Sequence, residues 1–268
     1  MPLATINGIQ LNYQVKGSGD LVVLIMGTGS PGRVWDLHQV PALLDAGYRV
    51  CTFDNRGIAP TDECAGGIVI EDMVADTAAL IEHLGGGPAY VVGTSLGARI
   101  AQELALTRPE LVRKAVFLAA HGRRDALQKA LSEGERELDR KGITLPSSYR
   151  AAITAVLNLS PTSMVDQMAA QDWLDIFAFS KSETSPGIRA QQNLDDFGDR
   201  LSAYGRITVP CLAVGFADDR LVPAHLAAEV AKAIPGAQYV ELPDCGHYGY
   251  LERPDAVNSA VLAFLKGE

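Results

Sequence analysis

With 268 residues, 47% of them hydrophobic, the chain is long enough for one large α/β domain, or for a core that carries an insertion. Its 32 acidic and 23 basic residues leave a formal net charge of −9, with no acidic tail, which argues against nucleic acid as a partner. No apolar run approaches the ~20 residues of a membrane span, no secretory-type segment opens the chain, and Cys51, Cys64, Cys211 and Cys245 lack C-x-x-C spacing, so the expectation is a cytoplasmic protein with reduced thiols and no metal.

Residues 3–16 alternate loosely around Asn7-Gly8, a hairpin signal. Leu21-Val22-Val23-Leu24-Ile25-Met26 is continuously apolar, as a central strand covered on both faces would be. It runs into a glycine-dense loop, Gly27-Thr28-Gly29-Ser30-Pro31-Gly32. A helix is expected over Val34 to Ala46, kinked or split by Pro41. Arg49-Val50-Cys51-Thr52-Phe53 reads as a strand, and Glu71 to Leu84 as a helix stopped by Gly85-Gly86-Gly87-Pro88. A strand at Ala89 to Val92 leads into Gly93-Thr94-Ser95-Leu96-Gly97, and a helix follows over Ala98 to Leu106. Lys114 to Ala120 is a further apolar strand. From His121 to about residue 205 the periodicity is helical, broken by Gly142, Pro146, Pro161 and Pro186, with no convincing strand. Alternation then resumes with a strand at Cys211 to Phe216, a helix at Pro223 to Ile234, a strand at Gln238 to Leu242, and a last helix from Pro254 to Leu265. The expected division is a core over residues 1–120 and 206–268, with a helical insertion over 121–205. Strands alternating with helices predict a mostly parallel sheet covered on both faces, with its sites at the carboxyl ends of the strands.

Ser95 is the centre of that pattern. It stands on a sharp strand-to-helix turn, the context that the G-x-S-x-G elbow requires. Such a turn drives the serine toward unfavourable backbone angles, while flanking glycines remove side chains that would clash. A serine hydroxyl is barely nucleophilic at neutral pH, so it needs a base within hydrogen-bond reach and a carboxylate to orient that base. Of the five histidines, His38, His83 and His225 fall in helical stretches, whereas His121 follows a strand and is expected to line the site. His247 is the candidate base, because it lies in the loop Pro243-Asp244-Cys245-Gly246-His247 after the last strand. The orienting acid is Asp219 or Asp218, both just past the strand at 211–216. Asp219 is preferred because it stands directly before Arg220-Leu221-Val222-Pro223, while counting from Gly215 favours Asp218. The aspartate left unused is expected to cap the next helix.

Serine elbow, late aspartate and final histidine, in that order, resemble the α/β-hydrolase family. Asp54-Asn55-Arg56-Gly57-Ile58-Ala59-Pro60-Thr61 is similar to its D-x-R-G-x-G-x-S segment, and Asp219 to Pro223 and Gly246-His247 are similar to its acid and histidine boxes. The chain departs from the family at Met26-Gly27, where His-Gly is usual, and at Ala59, where glycine is usual. The resemblance implies a mostly parallel eight-stranded sheet with helices on both faces, and a helical lid over the site formed by residues 121–205. It implies an oxyanion hole made by the backbone N–H groups of Leu96 and Thr28. It further implies a small or medium apolar ester, thioester or related carbonyl substrate, with Met26, His121, Trp173 and Phe177 as pocket candidates beside Met164, Met168 and Phe179. No cofactor and no metal is implied.

Overall fold

The computed structural model describes residues 2–179, 185–194 and 198–267. The first hairpin pairs β1 (Leu3–Ile6) with β2 (Ile9–Lys16). Asn7 (φ 48°) and Gly8 (φ 79°) turn it, the two left-handed residues that let a two-residue loop follow strand twist. The chain then runs through β3 (Leu21–Ile25), α1 (Gln39–Asp45), β4 (Arg49–Phe53), α2 (Ile70–His83), β5 (Ala89–Thr94), α3 (Leu96–Thr107) and β6 (Val112–Leu118). Helices α4 (Ala126–Arg140), α5 (Ser147–Asn158), α6 (Gln167–Phe179), α7 (Pro186–Gln192) and α8 (Leu201–Tyr204) come next. The chain closes with β7 (Cys211–Phe216), α9 (Ala224–Ala233), β8 (Gln238–Leu242), α10 (Gly249–Glu252) and α11 (Pro254–Lys266). Between β6 and β7 the described residues hold no strand; residues 180–184 and 195–197 of the expected insertion lie outside them.

The eight strands form one sheet in the order β1-β2-β4-β3-β5-β6-β7-β8. The pairs β1–β2 and β2–β4 are antiparallel, and every later pair is parallel. Side chains alternate between two cores, as the two-residue strand period demands. Val23, Ile25, Val91, Phe117 and Ala213 pack beneath α2 and α3 on one face. Val22, Leu24, Val92, Val116 and Val214 pack against α1 and α11 on the other. The chain leaves β3 toward β4 and then crosses back to β5 on the other side of β3. The loops after β3 and β5 therefore diverge from neighbouring strand ends, which opens a crevice there.

The helix expected over Val34 to Ala46 is two pieces, and the break lies at His38 rather than at Pro41. A 3-10 turn covers Gly32–Leu37, His38 takes φ −142°, and α1 starts at Gln39. Pro41 sits in the first turn of α1, where a missing N–H leaves no bond unmade. Among the described residues no helix is long and apolar enough to cross a membrane.

Two glycines set the distance between the sheet and α3. A methyl group on Gly97 would overlap the carbonyl oxygen of Ile25 at the end of β3, and one on Gly93 would overlap the carbonyl of Gly97. Gly97→Ala is expected to cost about 3 kcal/mol or more, because a backbone carbonyl cannot rotate aside, and to lower Tm by roughly 6–12 °C. Gly134→Ala, within α4 where the added methyl meets nothing, should instead raise stability by about 0.4–1 kcal/mol. Thermal unfolding of the two variants beside the parent checks both.

Candidate active site

Ser95 links β5 to α3 with φ 55° and ψ −116°, a left-handed conformation that a residue with a side chain adopts only under constraint. The constraint is visible. The Ser95 N–H donates to the Leu118 carbonyl at the tip of β6 (3.0 Å), and the Ser95 carbonyl accepts the Arg99 N–H as the first bond of α3 (3.1 Å). Leu96, Gly97 and Ala98 form the first turn of α3, so their N–H groups have no acceptor within the helix and present its positive end.

The Asp54 to Thr61 segment holds the facing loop in place. One carboxylate oxygen of buried Asp54 accepts the Gly32 N–H (2.7 Å) and the other accepts from the Asn12 amide (2.6 Å). The Asn55 amide donates to the Met26 carbonyl (2.9 Å). Arg56 donates to both oxygens of Asp76 (2.6 and 2.7 Å) and pairs with Asp72 (2.8 Å). The loop that carries Thr28 is thereby held beside the turn at Ser95. Ala59 is not among the residues with positive φ, so a methyl group is tolerated where a glycine was the norm.

The two aspartates after β7 have different partners. Asp219 is buried, and its Oδ2 lies 2.7 Å from His247 Nδ1. Its Oδ1 accepts the N–H groups of Leu221 and Val222, both at 2.8 Å. The carboxylate is thus fixed on both oxygens. Asp218 faces away and accepts from the Ser160 hydroxyl (2.6 Å) at the end of α5. It does not cap the following helix as expected; α9 begins after Pro223 with no side-chain cap.

Ser95 and His247 line the same cavity, of about 410 Å³, at the carboxyl end of the sheet. Thr28, Leu96, Met26 and His121 line it too. One face of α4, namely Gln128, Leu131, Ser132, Glu135, Arg136 and Asp139, forms an outer wall at helical spacing. His121 is half-buried, and its pKa is pushed down to about 3, by loss of solvation first and then by Arg99, Arg124 and His247.

A model of the Alpha/beta hydrolase family matches residues 22–260. The chain belongs to the α/β-hydrolase family. It is 47% identical over 256 residues to a Mycobacterium tuberculosis protein named "Putative non-heme bromoperoxidase BpoC", covering 96% of this chain and 97% of that one. It is 31% identical over 263 residues to a pyrrolizixenacetamide deacetylase of Xenorhabdus hominickii, covering 97% and 96%. The solved structure of Rv0554 from Mycobacterium tuberculosis superposes with a TM-score of 0.93 at 46% identity, covering 97% of this chain and 94% of that chain.

Against this α/β-hydrolase frame, the aromatic pocket expectation needs correcting. Trp173 and Phe177 do not line the cavity. They stack on each other (5.6 Å between ring centroids) and pack with Ala151, Ala155 and Leu159 between α5 and α6. These two helices lie away from the sheet and need an apolar core of their own, and the aromatic pair supplies it. Phe177 also lies against Tyr248 of the cavity wall, at 6.2 Å between ring centroids. Met168 and Phe179 are exposed. The lining is mixed: Arg99, Arg124, Arg136 and Arg189 stand in the wall beside Met26, Leu131, Leu194, Leu221 and Val222.

Three contributors carried no usable sequence signal. Buried Gln191 of α7 accepts the Gly29 N–H (2.9 Å) and donates to the Arg56 carbonyl (2.7 Å), clamping the Thr28 loop from above. Glu252 accepts the N–H groups of Ser160 and Gly246, both at 2.7 Å, one residue before His247. Arg99 stands four residues after Ser95 in a helix that also holds Gln102 and Glu103, so its charge did not single it out.

The depressed pKa of His121 makes a stability prediction. The folded protein keeps this imidazole neutral down to about pH 3, whereas the unfolded chain takes up the proton near pH 6.5. Its contribution is therefore fully present above about pH 6.5 and is lost as pH falls from there toward 3. His121→Gln should lose less stability than the parent between pH 7 and pH 4.5, as measured by urea midpoints at each pH.

Proposed function

We propose that the protein is a serine hydrolase that cleaves carbonyl compounds through an acyl-enzyme. One observation carries this reading: the carboxylate of Asp219 is fixed against His247 in the wall of the cavity that the strained Ser95 enters. In the first step His247 Nε2 takes the Ser95 proton as Oγ attacks the carbonyl carbon. Asp219 holds the Nδ1–H, which fixes the tautomer and stabilises the imidazolium. The developing oxyanion accepts from the N–H of Leu96, at the start of α3, and from the N–H of Thr28 across the cavity. Losing one such donor typically costs about 10²–10³-fold in kcat. The leaving group takes the proton from His247. Water, deprotonated by the same imidazole, then attacks the acyl carbon and returns Ser95. Residues 121–205 serve as the lid: Gln191, Asn158 and the cavity face of α4 all come from it. Free thiols at all four cysteines, three of them buried, support a cytoplasmic setting.

The relative at 47% identity supports a second reaction of the same acyl-enzyme. Hydrogen peroxide in place of water would attack the acyl carbon, break its bond to Ser95 Oγ and leave as the peroxy acid, with His247 returning its proton to the serine. Peroxide-dependent bromination in acetate buffer, abolished by Ser95→Ala, is the outcome expected of this activity.

Incubation with a fluorophosphonate should label Ser95 and no other residue, as read by peptide mass spectrometry; an unlabelled Ser95 in folded protein refutes the nucleophile. Asp219→Asn is expected to lower kcat by about 10⁴-fold, through loss of the correct imidazole tautomer. Asp218→Asn should leave kcat within an order of magnitude. The opposite ranking in steady-state ester hydrolysis would move the acid to Asp218.

A further inference from the structure

The loop after β3 holds three glycines within six residues, Gly27, Gly29 and Gly32, so its backbone starts with more freedom than a catalytic loop can use. Its two ends are tied from below: Asn55 holds the Met26 carbonyl, and Asp54 holds the Gly32 N–H. Between them runs a four-residue turn. A long bond from the Ser30 N–H to the Gly27 carbonyl (3.4 Å) closes it, and Gly29 takes its third place at φ 73°. Gly27 lies against the nucleophile, since a Cβ built on it would stand 3.3 Å from Ser95 Cβ. Thr28, second in the turn, lines the cavity. Among the described residues, a single hydrogen bond reaches Thr28 or Gly29 from outside the loop. In it the Gly29 N–H donates to Gln191 Oε1 of the lid (2.9 Å).

Gln191 is 2% exposed, and its Nε2 donates to the Arg56 carbonyl (2.7 Å). Arg56 is anchored to α2 through Asp76 and Asp72. Beside it, Gly187 of α7 meets Gly57 backbone to backbone, so closely that a methyl group on either would overlap the other's carbonyl oxygen. Ile188 covers Gly29, 3.5 Å from where a Cβ would stand. One buried amide thus carries the rigidity of Arg56 across to the tip of a flexible turn.

We propose that Gln191 is a positioning residue for the oxyanion hole: by holding the Thr28–Gly29 peptide it fixes the aim of the Thr28 N–H, so the inserted lid completes the catalytic machinery. This rests on the hydrolase reading above. The central peptide of a four-residue turn is the one whose reversal separates two common turn types, and the Gln191 bond opposes that reversal. A donor's aim matters most when charge develops on its acceptor, so a loosened turn weakens the transition state more than the bound substrate. Each polar atom of Gln191 has a protein partner, so the residue acts on the loop rather than on the substrate.

Gln191→Met keeps the length of the side chain and removes both bonds. In hydrolysis of 4-nitrophenyl acetate it should lower kcat by about 10- to 100-fold, less than the loss of a whole donor, and change KM by less than about 3-fold. Fluorophosphonate labelling of Ser95 should slow in parallel, because the phosphoryl oxygen enters the same hole. Gln191→Glu keeps an acceptor for the Gly29 N–H and loses the donor to Arg56, so it should recover part of the lost kcat. A further readout does not depend on activity: exchange of the Gly29 amide hydrogen, followed by NMR, should quicken by about 10-fold or more in Gln191→Met. If that variant does not fold, Gln191→Asn, too short to reach both loops, replaces it with the same expectations. An unchanged kcat, or Gly29 exchange indifferent to the substitution, overturns the inference. So does a loss of kcat that Gln191→Glu leaves unrelieved, which marks a general loosening of the lid. A parent that neither hydrolyses the ester nor takes the label at Ser95 sinks the hydrolase reading and this inference with it. A labelled, active parent beside an unaffected Gln191→Met sinks the inference alone.

Discussion

Everything at the site depends on how closely α3 lies on the end of β3. The α-carbon of Gly97 rests against the Ile25 carbonyl, and that of Gly93 against Gly97 itself, with no room for a methyl group at either. This contact forces the chain to reverse within one residue, and Ser95 absorbs the reversal in its backbone at φ 55°. The strain persists because its surroundings over-determine it. A bond to the tip of β6 fixes one side of the residue, and the first bond of α3 fixes the other. The hydroxyl is thereby lifted off the sheet and set beside the unbonded N–H groups of a helix start. Both follow from one steric fact, and that fact follows from two glycines.

The remaining parts are brought to that point by ties between distant segments. Asp54, Asn55 and Arg56 hold the loop after β3 from below, and Gln191 holds it from above. Asp219 is pinned by two backbone N–H groups, which leaves its second oxygen for His247. Charge is divided with the same economy. Four arginines and two acids, Glu135 and Asp139, stand in the cavity wall, whereas the chain as a whole carries a formal net charge of −9.

Much of the framework was legible in the sequence because it rests on local rules. Continuous apolar runs marked the buried parallel strands, and glycine spacing around Ser95 marked the turn. The choice of His247 over four other histidines followed from its position past a strand end. What failed depended on tertiary packing. Pro41 looked like a break until its place in the first turn of α1 made its missing N–H harmless. Trp173 and Phe177 looked like a pocket because aromatic residues line pockets as readily as they fill cores; only the pairing of α5 with α6 separates the two. Asp218 and Asp219 are adjacent and chemically identical, and their roles divide only through what each faces across the fold. The arginines were overlooked because a charge count sums over the whole surface and says nothing about where the charges lie.

The carboxylate of Glu252 spans two segments that are far apart along the chain, joining the end of α5 to the loop that carries His247. Ser160 adds a second tether through Asp218, Thr162 a third through Asp244, and the Tyr248 N–H a fourth through the Asn158 carbonyl. At this corner the end of α5 and the loop that carries the imidazole are one mechanical unit. For the same reason the inserted helices are not an interchangeable module. A replacement grafted from another member of the family would have to bring an equivalent anchor for residue 252, or it would loosen the loop that carries the histidine.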